Sequence, residues 1–167
     1  NRVRRQRQMC IRDRPKTTPR DAVSALTAEW RREKGIESDL ARDRSTKPVH
    51  PIQVIRAMRD AMQDDDVIVC DSGFNQIWGG QYFEVRSSGR TYLGPRGFGV
   101  MGYGTPAAIS RALATPAQNV VCLTGDGGFA MVIQELETAL RTGANVTIVI
   151  MNLSLIHISE PTRLGAI

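Results

Sequence analysis

The stretch Asn119-Val120-Val121-Cys122-Leu123-Thr124-Gly125-Asp126-Gly127-Gly128-Phe129 decides how the rest of the chain is read. Its first half is apolar, rich in β-branched residues and without polar alternation, as expected of a strand covered on both faces in a parallel sheet. It stops at Gly-Asp-Gly-Gly, where glycines permit close backbone approach to a ligand and left-handed conformations. Asp126 is thereby placed at the carboxyl end of a strand, the edge where open α/β sheets bind ligands. A helix expected over residues 130–141 would aim free N–H groups at the same place, which suits a phosphate. One carboxylate for a hard cation beside backbone donors for phosphate fits a magnesium–diphosphate ligand.

Working outward, strands and helices alternate. Val67-Ile68-Val69-Cys70 is a second buried strand, ending at Asp71-Ser72-Gly73. That turn reads either as ligand-facing or as simple capping, with Asp71 and Ser72 capping a helix through Trp78; the two readings are compatible. Before it, Pro51 suits the first turn of a helix and His50 precedes it as a cap or surface residue. Ile52, Ile55, Met58 and Met62 form that helix's apolar stripe, with Arg59 on the margin. The acidic run Asp64-Asp65-Asp66 reads as solvated turn residues rather than a metal site. Later in the chain come a short strand over 90–93, a glycine-rich loop over 94–104 and a helix over 106–113. After the central motif, Met131, Ile133, Leu136 and Leu140 are the candidate packing positions of the 130–141 helix. Gly143 ends that helix, and Val146-Thr147-Ile148-Val149-Ile150-Met151 is the last buried strand. The alternation predicts an α/β fold, a mostly parallel sheet with helices on both faces.

Two further readings attach to this frame. Asp21 can cap a helix reaching about residue 34, with Val23, Leu26 and Trp30 on one face and Trp30 as a packing aromatic. Residues 35–47 are charged and aperiodic, which reads as a linker. Separately, Gly97-x-Gly99-x-x-Gly102 matches the dinucleotide fingerprint, and Asp126 lies close to the spacing of about 20 residues that the fingerprint expects. Against a nicotinamide-binding dehydrogenase domain stand the weak strand ahead of Gly97 and the position of Asp126 inside Gly-Asp-Gly-Gly. A catalytically dead interaction module that keeps the sheet and lacks the site is the other rival.

Three motifs in order resemble the thiamine-diphosphate enzymes. Gly125-Asp126-Gly127, then Glu135-Leu136, then the strand ending at Asn152 is similar to their cofactor motif, which opens with Gly-Asp-Gly and closes with Asn-Asn. Gly97-Phe98-Gly99-Val100-Met101-Gly102-Tyr103-Gly104-Thr105-Pro106-Ala107-Ala108-Ile109 resembles the Gly-x-Gly-x-Met-Gly-x-Gly-x-Pro-Ala-Ala-Ile segment of the acetolactate synthase group. Asp71-Ser72-Gly73-Phe74-Asn75-Gln76-Ile77-Trp78 resembles that group's Gly-x-His-Gln-Met-Trp segment, with Asn75 where a His is usual. The resemblance implies thiamine diphosphate and Mg²⁺ as cofactors, with Asp126 as metal ligand. It implies that Gly125, Gly127, Gly128, Asn152 and the turn Ser72, Gly73 and Asn75 surround the diphosphate. Gly99 would offer its carbonyl to the aminopyrimidine ring and Met101 would support the bent cofactor, a task suited to a flexible side chain that packs on aromatic rings. Of the closing Asn-Asn pair, Asn152 is the first; Leu153 stands where the second, a metal ligand, is expected. The Glu that activates the cofactor belongs to an amino-terminal domain of the neighbouring subunit in this family, so no catalytic residue is assigned here. The implied protein is a cytoplasmic homodimer or homotetramer, with a regulatory subunit as a further partner. It would decarboxylate a 2-oxo acid such as pyruvate and join the two-carbon unit to a second 2-oxo acid. Another 2-oxo acid decarboxylase or a glyoxylate carboligase is the near alternative.

The two ends read differently. Met9-Cys10-Ile11-Arg12-Asp13 is what a common transposase sequencing adapter encodes in translation, and Leu153-Ser154-Leu155-Ile156-His157-Ile158-Ser159-Glu160-Pro161-Thr162-Arg163 is the same reagent in the opposite orientation. Residues 1–14 and 153–167 are therefore expected to be adapter-derived, leaving 15–47 as the end of a preceding domain with a linker and 48–152 as a partial cofactor-binding domain. The chain carries 22 Lys and Arg against 17 Asp and Glu, a net charge of +5. Residues 1–14 hold six Arg and one Asp and account for all of that excess. Without them the chain is neutral, so a nucleic-acid or membrane-surface function has no electrostatic support. Cys70 and Cys122, each in an expected strand, read as buried free thiols rather than a disulfide framework.

Overall fold

A computed structural model describes residues 20–41 and 49–152. The chain divides into two compact units at Ala41/Arg42. In the first, helix α1 spans Arg20–Glu33 and a short α2 spans Ile36–Leu40. The helix begins one residue ahead of Asp21, so Asp21 lies inside it and not at its cap position. Leu26 and Trp30 are exposed, not packed. The expected linker starts as α2, in which Ile36 is fully buried; the charged residues around Ile36 hide the single apolar anchor that helix needs. The rest of that stretch, 42–47, lies outside the described residues, as do the two termini expected to be adapter-derived.

The second unit is built on four parallel strands: β1 (Val67–Cys70), β2 (Tyr92–Leu93), β3 (Val120–Gly125) and β4 (Val146–Met151). Their order is β2-β1-β3-β4. The helices are α3 (Pro51–Ala61), α4 (Phe74–Tyr82), α5 (Gly104–Ala114), α6 (Asp126–Met131) and α7 (Glu135–Thr142). Successive side chains of a strand point to opposite faces, and both faces of β1 and β3 are covered. Ile68, Cys70, Val121 and Leu123 pack with Ile55, Met58, Met62 and Phe83 on one side. Val67, Val69, Val120 and Cys122 pack with Ala108 and Ala112 of α5 on the other. Small residues on α5 let that helix lie close to the sheet. The result is the α/β fold anticipated from the alternation, with helices on both faces.

Local chemistry sets the helix ends. His50 is the N-cap of α3: its Nδ1 accepts from the Ile52 N–H at 3.4 Å while Gln53 reaches back to the His50 N–H, and Pro51 takes the first position. This is a capping box with His in place of Ser or Thr. Arg59 is not marginal but 5% exposed. Its guanidinium donates to the carbonyls of Met62, Gln63 and Glu84 and lies 5.0 Å over the Phe83 ring, so it ties the end of α3 to the end of α4. Asp66 is likewise buried. It accepts from the backbone N–H groups of Gln63 and Asn119 and from the Asn119 side chain, so of the acidic run only Asp64 and Asp65 are exposed.

The helix expected over 130–141 is two helices. It starts at Asp126 and breaks at Val132, whose φ of −132° and ψ of 23° are not helical. Short turns bridge the break, with Val132 N–H donating to Phe129 and Glu135 N–H to Val132. Consecutive β-branched Val132 and Ile133 disfavour helix continuation. A Cβ at Gly102 of the facing loop would come within 3.0 Å of the Val132 side chain. Met131, Ile133, Leu136 and Leu140 were expected to pack, yet all four are exposed, and α7 buries nothing. No described element covers that face.

Candidate functional site

Parallel strands end together, and the register brings the expected residues to one edge. Cys70 pairs with Leu123, so Asp71 follows beside Thr124. Gly125 pairs with Met151, so Asp126 and Asn152 are the next residues of adjacent strands. The glycine-rich loop between β2 and α5 closes over the same edge.

Its organiser is Asp71, which the sequence offers only as a possible cap. Asp71 is fully buried. Its Oδ2 accepts from the Gly102 N–H at 3.0 Å and the Thr124 hydroxyl at 3.0 Å; its Oδ1 accepts from the Ser72 N–H at 2.7 Å and the Tyr103 N–H at 3.1 Å. A buried carboxylate needs partners of this kind, since one without them would cost several kcal/mol. The glycines of the loop and of the Gly-Asp-Gly-Gly motif make room for it. A Cβ at Gly104 would come within 2.9 Å of the Asp71 Cβ, and one at Gly128 would strike the Asp71 carboxylate. Gly102 has φ +83°, where a side chain is strained, and its N–H is one of the three aimed at Asp71. Of the three glycines that match a dinucleotide fingerprint, only Gly102 serves this carboxylate; a Cβ at Gly97 would meet nothing within 4 Å.

Neither Asp71 nor Ser72 caps α4 through its side chain. The N-cap is Gly73, with φ +119° and no side-chain cap bond. Asp71 is committed to the loop, and the Ser72 hydroxyl donates to the Gly99 carbonyl at 2.6 Å. Asn75 is 4% exposed. Its amide donates to the Asp71 carbonyl at 2.7 Å and the Leu123 carbonyl at 3.2 Å, joining the ends of β1 and β3. Both amide protons are therefore spent on backbone; its Oδ1 lies 3.6 Å from where a Cβ on Gly125 would stand. Met101 is 44% exposed at the loop, next to Gly102.

Asp126 contrasts with Asp71. It is half-buried as the first residue of α6, and among the described residues it has no hydrogen bond or ion pair. Gly125 and Gly127 flank it, both half-buried, while Gly128 behind them is buried. No cluster of three or more His, Cys, Asp or Glu that could hold a metal occurs among the described residues. The oxygen-donor chemistry suits Mg²⁺, which takes one or two protein carboxylates and completes its shell with water and substrate phosphates. A single unpartnered carboxylate beside glycine backbone fits that pattern.

The thiols behind the edge are inert. Burial pushes Cys70 up from 9.0 to about 11, and burial followed by the nearby Asp71 pushes Cys122 up to about 12. Both are free. Burial also raises Tyr92, whose hydroxyl donates to the Gln76 carbonyl at 3.2 Å.

The family model described as thiamine pyrophosphate enzyme, C-terminal TPP binding domain, matches residues 71–155, just over half of the chain and all of the edge described above. The chain belongs to the thiamine pyrophosphate enzymes. It is 35% identical over 139 residues to the acetolactate synthase isozyme 1 large subunit of Escherichia coli (strain K12), covering 78% of this chain and 24% of that protein. It is 38% identical over 104 residues to the acetolactate synthase large subunit of Lactococcus lactis subsp. lactis (strain IL1403), covering 62% and 18%. It is 33% identical over 108 residues to the putative thiamine pyrophosphate-containing protein YdaP of Bacillus subtilis (strain 168), covering 65% and 19%. The chain thus spans about a fifth to a quarter of the length of these relatives. Membership makes thiamine pyrophosphate the cofactor and an enzyme the parent of this domain. No helix among the described residues is long and apolar enough to cross a membrane.

Proposed function

We propose that this domain holds the magnesium–diphosphate end of thiamine pyrophosphate in an acetolactate synthase-like enzyme. The observation that carries the reading is the unpartnered Asp126 carboxylate at the end of β3, beside Asn152 at the end of β4. Asp126 would bind Mg²⁺, and the backbone of Gly125, Gly127 and Gly128 would face the diphosphate. Asn152, Ser72 and Gly73 would border that cleft. Asn75 would act from behind, holding the two strand ends apart at the right distance. Gly99 would accept from the aminopyrimidine amino group and Met101 would support the rings. Position 153 holds Leu, which offers no oxygen donor from its side chain.

When bound, the cofactor supplies the ylid and the electron sink for decarboxylation. The residues of this chain bind and orient it; none is placed to move a proton. The reaction proposed for the whole protein is decarboxylation of pyruvate or a similar 2-oxo acid and transfer of the two-carbon unit to a second 2-oxo acid. Its sequence similarity to two acetolactate synthase large subunits supports that choice, and the words large subunit support a further partner subunit; a cytoplasmic homo-oligomer is part of the same proposal. The test is a titration of the full-length protein with thiamine pyrophosphate at fixed Mg²⁺, followed by product analysis with pyruvate. Saturable, Mg²⁺-dependent binding and acetolactate formation are expected. Release of an aldehyde with no carboligated product would overturn the proposed reaction, and absence of binding would overturn the site.

A further inference from the structure

We infer that Ser72 is a positioning residue for the aminopyrimidine half of the cofactor, acting through the Gly99 carbonyl. The inference rests on the reading above, in which that carbonyl faces the ring amino group. The glycine loop has two attachments to the end of β1. Its base is fixed by Asp71, which takes the Gly102 and Tyr103 N–H groups. Its apex is fixed by the next residue in the chain: the Ser72 hydroxyl donates to the Gly99 carbonyl at 2.6 Å across a sequence separation of 27. Among the described residues, no other hydrogen bond ties residues 97–101 to the rest of the unit. Packing does not hold them either, since Phe98, Val100 and Met101 are all exposed. Gly99 itself has φ +66°, outside any regular element, so no ladder dictates where its carbonyl points.

A carbonyl oxygen has two lone pairs. Ser72 occupies one and leaves the second for a donor on the ligand. The bond therefore sets direction; it does not make the oxygen a stronger acceptor. Without it, the apex would have to be ordered when the cofactor binds, and that ordering would weaken binding. The sequence similarity that identifies the family does not assign Ser72 this task, and its side chain does not itself touch the ring in this account.

The experiment measures affinity in the full-length protein, with Mg²⁺ present, for thiamine pyrophosphate and for an analogue carrying oxygen in place of the ring amino group. Losing one neutral hydrogen bond predicts that Ser72→Ala weakens thiamine pyrophosphate binding by about two- to tenfold. Ser72→Thr keeps the hydroxyl and should bind as the wild type does. The oxygen analogue presents no donor to Gly99, so wild type and Ser72→Ala should bind it alike. Equal losses for both ligands would mean general loosening of the edge and would overturn the inference. So would unchanged affinity of Ser72→Ala for thiamine pyrophosphate, or an equal loss in Ser72→Thr. If the wild type binds no thiamine pyrophosphate, the proposed function falls and takes this inference with it.

Discussion

Asp71 and Asp126 close adjacent strands of one sheet, and they behave oppositely. Asp71 is fully buried and accepts from three backbone N–H groups and one hydroxyl. Asp126 is half-buried and, among the described residues, accepts from none. The surroundings follow the same division. Around Asp71 the glycines are filled to contact distance, whereas beyond Asp126 the apolar residues Met131, Ile133 and Leu140 stand exposed. Buried acids are expected to be satisfied by the protein. Asp126 is only half-buried, so water or a ligand can meet it. One carboxylate builds the edge, and its neighbour is the one proposed to meet the ligand.

The largest effect should come from breaking the first of these. Asp71→Ala strands three N–H groups and the Thr124 hydroxyl in a dry interior, at about 3–5 kcal/mol in total, enough to unfold a marginal domain. Chemical denaturation of the protein checks this. A variant that unfolds at the wild-type midpoint would mean the glycine loop is held by something other than Asp71.

Next come the thiols beneath it. In the unfolded chain each cysteine loses its proton near 9.0, whereas in the folded chain Cys70 and Cys122 hold theirs to about 11 and about 12. Above pH 9 the unfolded state therefore binds fewer protons, and stability must fall with rising pH. Their contribution is intact below pH 9 and is lost at up to about 1.4 kcal/mol per pH unit per thiol until the folded-state values are passed. Denaturation midpoints measured from pH 8 to 11 should fall, and Cys70→Ala and Cys122→Ala should each flatten the fall. An unchanged slope in both variants would place its origin elsewhere. Gly128→Ala should cost about 1–3 kcal/mol by overpacking, because its Cβ must displace the Asp71 carboxylate. A neutral result would show that the contact between the motif and Asp71 is looser than the geometry indicates.

The sheet was legible in the sequence because an unbroken apolar run marks a strand: β1 and β4 occupy the residues read as strands, and β3 is the central run itself. β4, however, was expected to be buried and is covered only in part, with Thr147 and Ile150 exposed, because it has β3 on one side and no described strand on the other. What escaped was non-local. Asp71, directly after Val-Ile-Val-Cys, reads in the sequence as a possible cap, but three of its partners lie 31, 32 and 53 residues away. No periodicity reports a bond of that reach. Arg59 and Asp66 escaped for the same reason, since a charged residue looks solvated until the carbonyls or amides it serves are located. The break at Val132 was hidden by the opposite error. Met131, Leu136 and Leu140 suit a helical stripe, and only the geometry of the loop opposite Val132 shows why the helix stops. Among the candidate site residues, motif order predicted the edge; whether a side chain serves backbone or ligand, as Asn75 and Asp126 differ, needed coordinates.

The smallest effect on stability is the most informative. Asp126→Ala removes a carboxylate with no hydrogen bond or ion pair among the described residues, so stability should move by less than about 0.5 kcal/mol. The same change should abolish Mg²⁺-dependent binding of thiamine pyrophosphate, since the other carboxylate at that edge, Asp71, is buried and committed to the loop. Asp126→Asn keeps an oxygen donor but lowers its charge, and should bind weakly at raised Mg²⁺. Loss of stability on a par with Asp71→Ala would mean that Asp126 also braces the fold, and the contrast between the two carboxylates would collapse. Stability and affinity moving apart in Asp126→Ala, and stability collapsing in Asp71→Ala, would establish that neighbouring strand ends have divided the work of building a site from the work of using it.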